Sequence, residues 1–160
     1  MESKDVLSNK ENEDGQNMEA QSAHTLEQDI PEAAEWVVGA LNTSGYKADY
    51  SLESMKEIDR FFDEQSGPKG VITACNTGWI LFSLGSYVGQ TVIKLYGGKW
   101  ITDDNDPQGE VNIAVETADG ITLWPVMRCM KRYKNGPEDS IYALVLVLDN
   151  KYRSNSHLKQ

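Results

Sequence analysis

A stretch of the chain, Thr77 to Trp100 (TGWILFSLGSYVGQTVIKLYGGKW), is its most apolar segment of that length and leaves few architectures open. Leu81, Leu84, Val88, Val92 and Leu95 advance by three or four residues, the stripe of a helix rather than the alternation of a strand. Trp79, Phe82 and Tyr87 widen the stripe, so the helix is expected to be largely buried. Asn76 or Thr77 can cap its start, and Gly97-Gly98 offers a left-handed stop. Gly85 and Gly89, one turn apart, each cost about 1 kcal/mol in a helix relative to alanine. Close approach of another backbone is the simplest compensation. Polar residues from Thr73 to Thr91 interrupt the run, so it falls short of the roughly 20 apolar residues a membrane span requires.

Around this helix, 160 residues leave room for one domain and a tail. The net charge of −10 is uneven: residues 1–30 hold eight acids and two bases, and residues 31–160 hold seventeen and thirteen. Neither part has the basic footprint of non-specific nucleic-acid binding. Residues 1–29 are polar and acidic without periodicity and are expected to form a disordered tail. Residues 30–150 then form a single domain, and 151–160 a polar C-terminal tail. Met1 begins no secretory signal pattern, and Cys75 and Cys129 have no metal-site spacing, so two reduced, mostly buried thiols in a cytoplasmic protein are expected. Sequence alone leaves a disulfide between them open.

A first helix is expected over Pro31–Leu41, capped by Asp29, with Ala33, Trp36, Val37, Ala40 and Leu41 inward. A second opens at Ser51 with Leu52, Met55, Ile58, Phe61 and Phe62 as its stripe. Val71–Cys75 is either an early start of the central helix or a separate turn. Beyond Gly98 the period changes. Trp100-Ile101 is a short strand, Val111, Ile113 and Val115 alternate as a second, and Ala118-Asp119-Gly120 turns the chain back into Ile121–Trp124. Pro125–Tyr133 reads as a short helix, with a continued strand as the competing reading. Ile141–Leu148 (IYALVLVL) is continuously apolar and β-rich, and is expected to be a central strand. The fold class is therefore α+β, with two or three N-terminal helices packed on a small antiparallel sheet.

The helix motif Leu84, Gly85, Tyr87, Gly89, the exit Gly97, Gly98, Trp100 and the step Trp124-Pro125 resemble a small bacterial domain family of unknown function. The resemblance spans roughly Ser51 to Leu148. It rests on packing positions and implies a fold, not an activity. Gln90 stands where that pattern carries an acidic residue.

Histidine occurs only at His24 and His157, which leaves Ser-His, Cys-His and His-zinc chemistry without its residue. No phosphate-binding glycine loop is present. The expectation is a protein without catalytic residues or cofactor. Asp103, Asp104, Asp106 and Glu110 crowd one loop and are candidate ligands for a hard cation. An EF-hand is excluded, because a loop counted from Asp104 has Val115 where a bidentate glutamate is required. Arg128, Lys131, Arg132 and Tyr133, with Lys134, form a candidate partner-binding patch. The four tryptophans read as core anchors, with Trp100 and Trp124 at strand ends. The functional expectation is a non-catalytic protein-binding module of immunity or inhibitor type, whose acidity would speed encounter with a basic protein. The alternative is a small-ligand or divalent-cation module built on the Asp103–Glu110 loop.

Overall fold

The computed structural model describes residues 24–158. The expected disordered tail falls outside these residues up to position 23. Six helices and one sheet follow: α1 Leu26–Thr43, α2 Ser54–Gln65, α3 Val71–Ala74, α4 Thr77–Tyr96, β1 Gly98–Ile101, β2 Ala114–Thr117, β3 Thr122–Leu123, α5 Pro125–Asn135 and α6 Ile141–Leu158. A 3₁₀ turn, Pro137–Asp139, joins α5 to α6. The fold is α+β.

α4 is the organising helix, as its stripe predicts. The Asn76 side chain accepts the Trp79 N–H, and Gly97, at φ +77°, ends the helix. Thirteen of its residues are buried. The two helix glycines have different neighbours. A Cβ at Gly85 would lie 2.6 Å from the Cα of Val126, so this is where α5 crosses α4 backbone to backbone. A Cβ at Gly89 would collide with the Trp100 indole. Trp100 is held in that position by donating its Nε1–H to Gln90 (3.0 Å).

α1 packs along α4 more extensively than any other element does. It starts at Leu26, five residues before the expected Pro31, and Pro31 lies inside it. Two features lengthen it. Thr25 and Gln28 form a reciprocal capping box. Asp104 Oδ1, from a distant loop, accepts the Leu26 N–H at 2.8 Å. Leu26 and Ile30 then bury against Phe82, Ile113 and Val126 in a secondary core cluster.

α2 begins at Ser54 rather than Ser51, whose hydroxyl instead closes the preceding turn onto the Ser54 N–H. Val71–Ala74 is a separate turn of helix, α3. The sheet is antiparallel in the order β1-β2-β3, with Trp100 opposite Val115 and Val115 opposite Leu123. β2 starts later than the alternating pattern suggests, leaving Val111 in a turn. The hairpin and β3 fall within the expected stretch.

One element is of the wrong type. Ile141–Leu148 is not a central strand but the first half of α6, and the expected polar tail continues that helix to Leu158. Ile141, Val145 and Leu148 are buried while Val147 is 54% exposed, a four-then-three spacing hidden in a run where every position is apolar. The decisive contribution comes from α2. Asp59 accepts the N–H groups of Ile141 and Tyr142, both at 3.0 Å, and the Ser140 hydroxyl at 2.8 Å, satisfying the donors at the start of α6.

Candidate interaction surface

α5 is amphipathic with a period that sorts its residues sharply. Val126, Cys129 and Arg132 face inward; Met130, Lys131 and Lys134 are exposed. The candidate patch of Arg128, Lys131, Arg132 and Tyr133 is therefore divided. Arg132 is 3% exposed. Its Nε donates to Asp59 Oδ1 at 2.9 Å, and its Nη2 donates to the Asp59 carbonyl and to Asp63. Arg128 donates through Nη2 to the Ser140 carbonyl (3.0 Å) and faces Asp139. Tyr133 shares a 2.7 Å hydrogen bond with Thr73, tying α5 to α3. Of the four, only Lys131 remains for a partner, joined by Lys134. Neither lysine enters an ion pair among the described residues.

What accompanies the lysines is apolar. A groove of about 510 Å³ is lined by Leu81, Met127, Met130, Lys131, Tyr133 and Lys134. A second, of about 200 Å³, runs past Trp124 and Leu144 and shares Met127 and Lys131 with the first. No aspartate or glutamate lines either. Trp124 is 47% exposed and Met130 40%. The combination of a ring, polarizable methionines and unpaired cations suits a protein contact. Sequence reasoning grouped the cations by proximity along the chain and overlooked the two methionines; the three-residue step from Met127 to Met130, in phase with Lys131 and Lys134, was the available signal.

The acidic loop serves a structural purpose. Asp103 accepts the Asn105 N–H, Asp104 caps α1, and Asp106 accepts the Gln108 N–H and the Asn112 side-chain amide. The Asn112 bond, then that of Gln108, holds the Asp106 carboxyl below its ordinary range. Glu110 is exposed. Among the described residues, no three His, Cys, Asp or Glu side chains converge as a metal group, so the four carboxylates are not brought together as ligands.

The tryptophans also depart from expectation. Trp36 of α1 and Trp79 of α4 are exposed and tilt against each other at 5.6 Å between centroids; with Trp124 exposed too, only Trp100 is an anchor. Cys75 is exposed and Cys129 buried; both are free thiols. His24 stands at the head of α1, 3.7 Å from Asp29.

Comparison with protein-family models, with curated proteins and with solved structures returned no match. No helix among the described residues is long and apolar enough to cross a membrane.

Proposed function

We propose that this protein is a non-catalytic protein-binding module whose contact surface is the outer face of α5. The carrying observation is the pair of neighbouring grooves that share Met127 and Lys131, the larger one apolar along its floor and edged by Lys131 and Lys134, which enter no ion pair among the described residues. Supporting it, the two other cations of α5 are engaged in architecture, Arg132 with Asp59 and Asp63 and Arg128 with the Ser140 carbonyl and Asp139, which leaves Lys131 and Lys134 to meet a partner. Immunity or inhibitor proteins working in the cytoplasm are the class we favour. The local sign of this face selects the partner more than the net charge does. A partner offering an acidic segment with apolar anchors fits it, in place of the basic protein suggested by composition.

The test is capture of a stoichiometric protein partner by the full chain, run beside K131E/K134E, M130E and a W36S/W79S control. Retention by the parent and the control, with loss in both α5 variants, supports the reading. A partner retained equally by all four baits, or lost only with the tryptophan variant, refutes it.

A further inference from the structure

We propose that the outer face of α6 pairs with the same face of a second copy of this chain, the two helices running antiparallel about a two-fold axis. This goes beyond the α5 reading and does not depend on it.

The first argument is the make-up of α6 around its circumference. From Ile141 to Leu148 the helix carries no charged group and no hydrogen-bonding side chain except the Tyr142 hydroxyl. A helix that is apolar on every side belongs in an interior, yet this one is covered on one side alone. It packs chiefly on α2, with Ile141, Val145 and Leu148 buried in the main core. On the other side, Val147 is the most exposed of the large apolar residues described, and Ala143 is exposed one turn before it. Half-buried Leu144 lies beside them. Ala143, Leu144, Val147 and Lys151 thus form one outward stripe at helical spacing.

The second argument is charge, and it selects the occupant. Glu138, in the turn leading into α6, and Lys151, in the C-terminal half of the helix, are both exposed. Neither enters an ion pair among the described residues. A face with an acid at one end and a base at the other complements itself only when the second copy is reversed. A two-fold axis placed between Leu144 and Val147 sets each of these against the other. It also brings Lys151 of one copy level with Ser140 of the other, beside Glu138. A parallel pair would instead set Glu138 against Glu138 and Lys151 against Lys151. Reversal opposes the helix dipoles as well, and the symmetry makes every contact occur twice. The contact covers Leu144, one wall of the smaller α5 groove, and leaves the larger groove, which Leu144 does not line, open on both copies.

The experiment is sedimentation equilibrium of the full chain between about 5 and 300 µM, on the parent, V147E, E138K, K151E and the exchanged variant E138K/K151E. All three positions face solvent, so unfolding midpoints at the lowest concentration should match the parent. A reversible monomer–dimer equilibrium is expected, with a dissociation constant on the order of 10–100 µM, as suits a contact along one helix. V147E, E138K and K151E should each weaken it at least about fivefold, because each acts at two symmetry-related places. E138K/K151E should return it to within about twofold of the parent, since the exchange restores both opposite-charge pairs. A parent that stays monomeric throughout, a dimer indifferent to V147E, or a double variant no better than the single ones overturns the proposal.

Discussion

Arg132 and Asp59 meet at 2.9 Å although 73 positions separate them, and the carboxylate oxygen that receives the guanidinium also receives the Ile141 N–H. One side chain of α2 thereby neutralises a buried cation of α5 and caps α6. The two partners are not equivalent. Asp59→Ala leaves Arg132 with Asp63 as its single carboxylate and strips the cap, and is expected to cost about 3–5 kcal/mol. Arg132→Met leaves Asp59 its three α6-side bonds and fills similar volume, so it costs less. Urea unfolding of both variants checks the order.

The helix glycines predict a second asymmetry. Gly85→Ala places its methyl group against the backbone of Val126, which cannot yield without moving α5, and overpacking of this kind costs about 1–3 kcal/mol despite better helix propensity. Gly89→Ala collides with the ring of Trp100 instead. Combining it with Trp100→Leu removes the clash, so the double variant should lose less than the sum of the two single losses. A double-mutant cycle by thermal or urea unfolding measures this coupling.

The thiols separate by burial. Burial, reinforced by the negative charge of Asp59, pushes the Cys129 thiol well above its usual range. A disulfide-exchange reagent at pH 8 should titrate one thiol, Cys75, rapidly and a second only on unfolding. Two fast thiols would contradict the packing of α5.

The same burial makes stability fall in alkali. Burial, then the Asp149 hydrogen bond, raises the Tyr96 phenol, and burial raises Cys129. Unfolded Cys and Tyr release protons near pH 8.5 and about 10, while the folded groups retain theirs. The stabilisation is complete below those values and is lost as pH rises beyond them, by up to about 1.4 kcal/mol per pH unit per group. The unfolding midpoint should therefore drop between pH 8 and 10.5. Cys129→Ala and Tyr96→Phe should each flatten the decline.

The acidic loop gives a prediction of opposite kind. Asp104→Ala removes a cap of α1 and should cost about 1 kcal/mol. Millimolar Ca²⁺ should leave the melting temperature of parent and variant alike, because Asp103, Asp104 and Asp106 already hold backbone and amide donors and Glu110 does not converge with them.

Much of the architecture was legible where local signals agree. The central helix has a stripe, a capping asparagine and a glycine stop, whereas Pro125–Tyr133, with proline at its head and Asn135-Gly136 as its stop but no capping side chain, left helix and strand both open. What the sequence concealed depends on residues far away. Nothing local in IYALVLVL separates helix from strand, and the cap that decides it comes from Asp59. Arg132 counts as a surface cation by composition; its phase with Val126 and Cys129 puts it inside, and only Asp59 and Asp63 make that tolerable. The tryptophans misled for a different reason. Their size suggests anchoring, yet Trp36 and Trp79 meet each other at the edge of the α1–α4 contact, where each keeps one side in solvent.

Synthesis runs from the N-terminus, so α2 leaves the ribosome long before the residues it caps. Until Ile141 and Tyr142 arrive, Asp59 has no α6 donors and the apolar run that follows Ser140 has no helix to join. The contact joins positions some eighty residues apart, so its loop-closure entropy is spent before its bonds form, and it is expected to form late in folding. The last helix is thus a clasp: interrupting translation before it, or pulling mechanically on the C-terminus, should open the molecule there first.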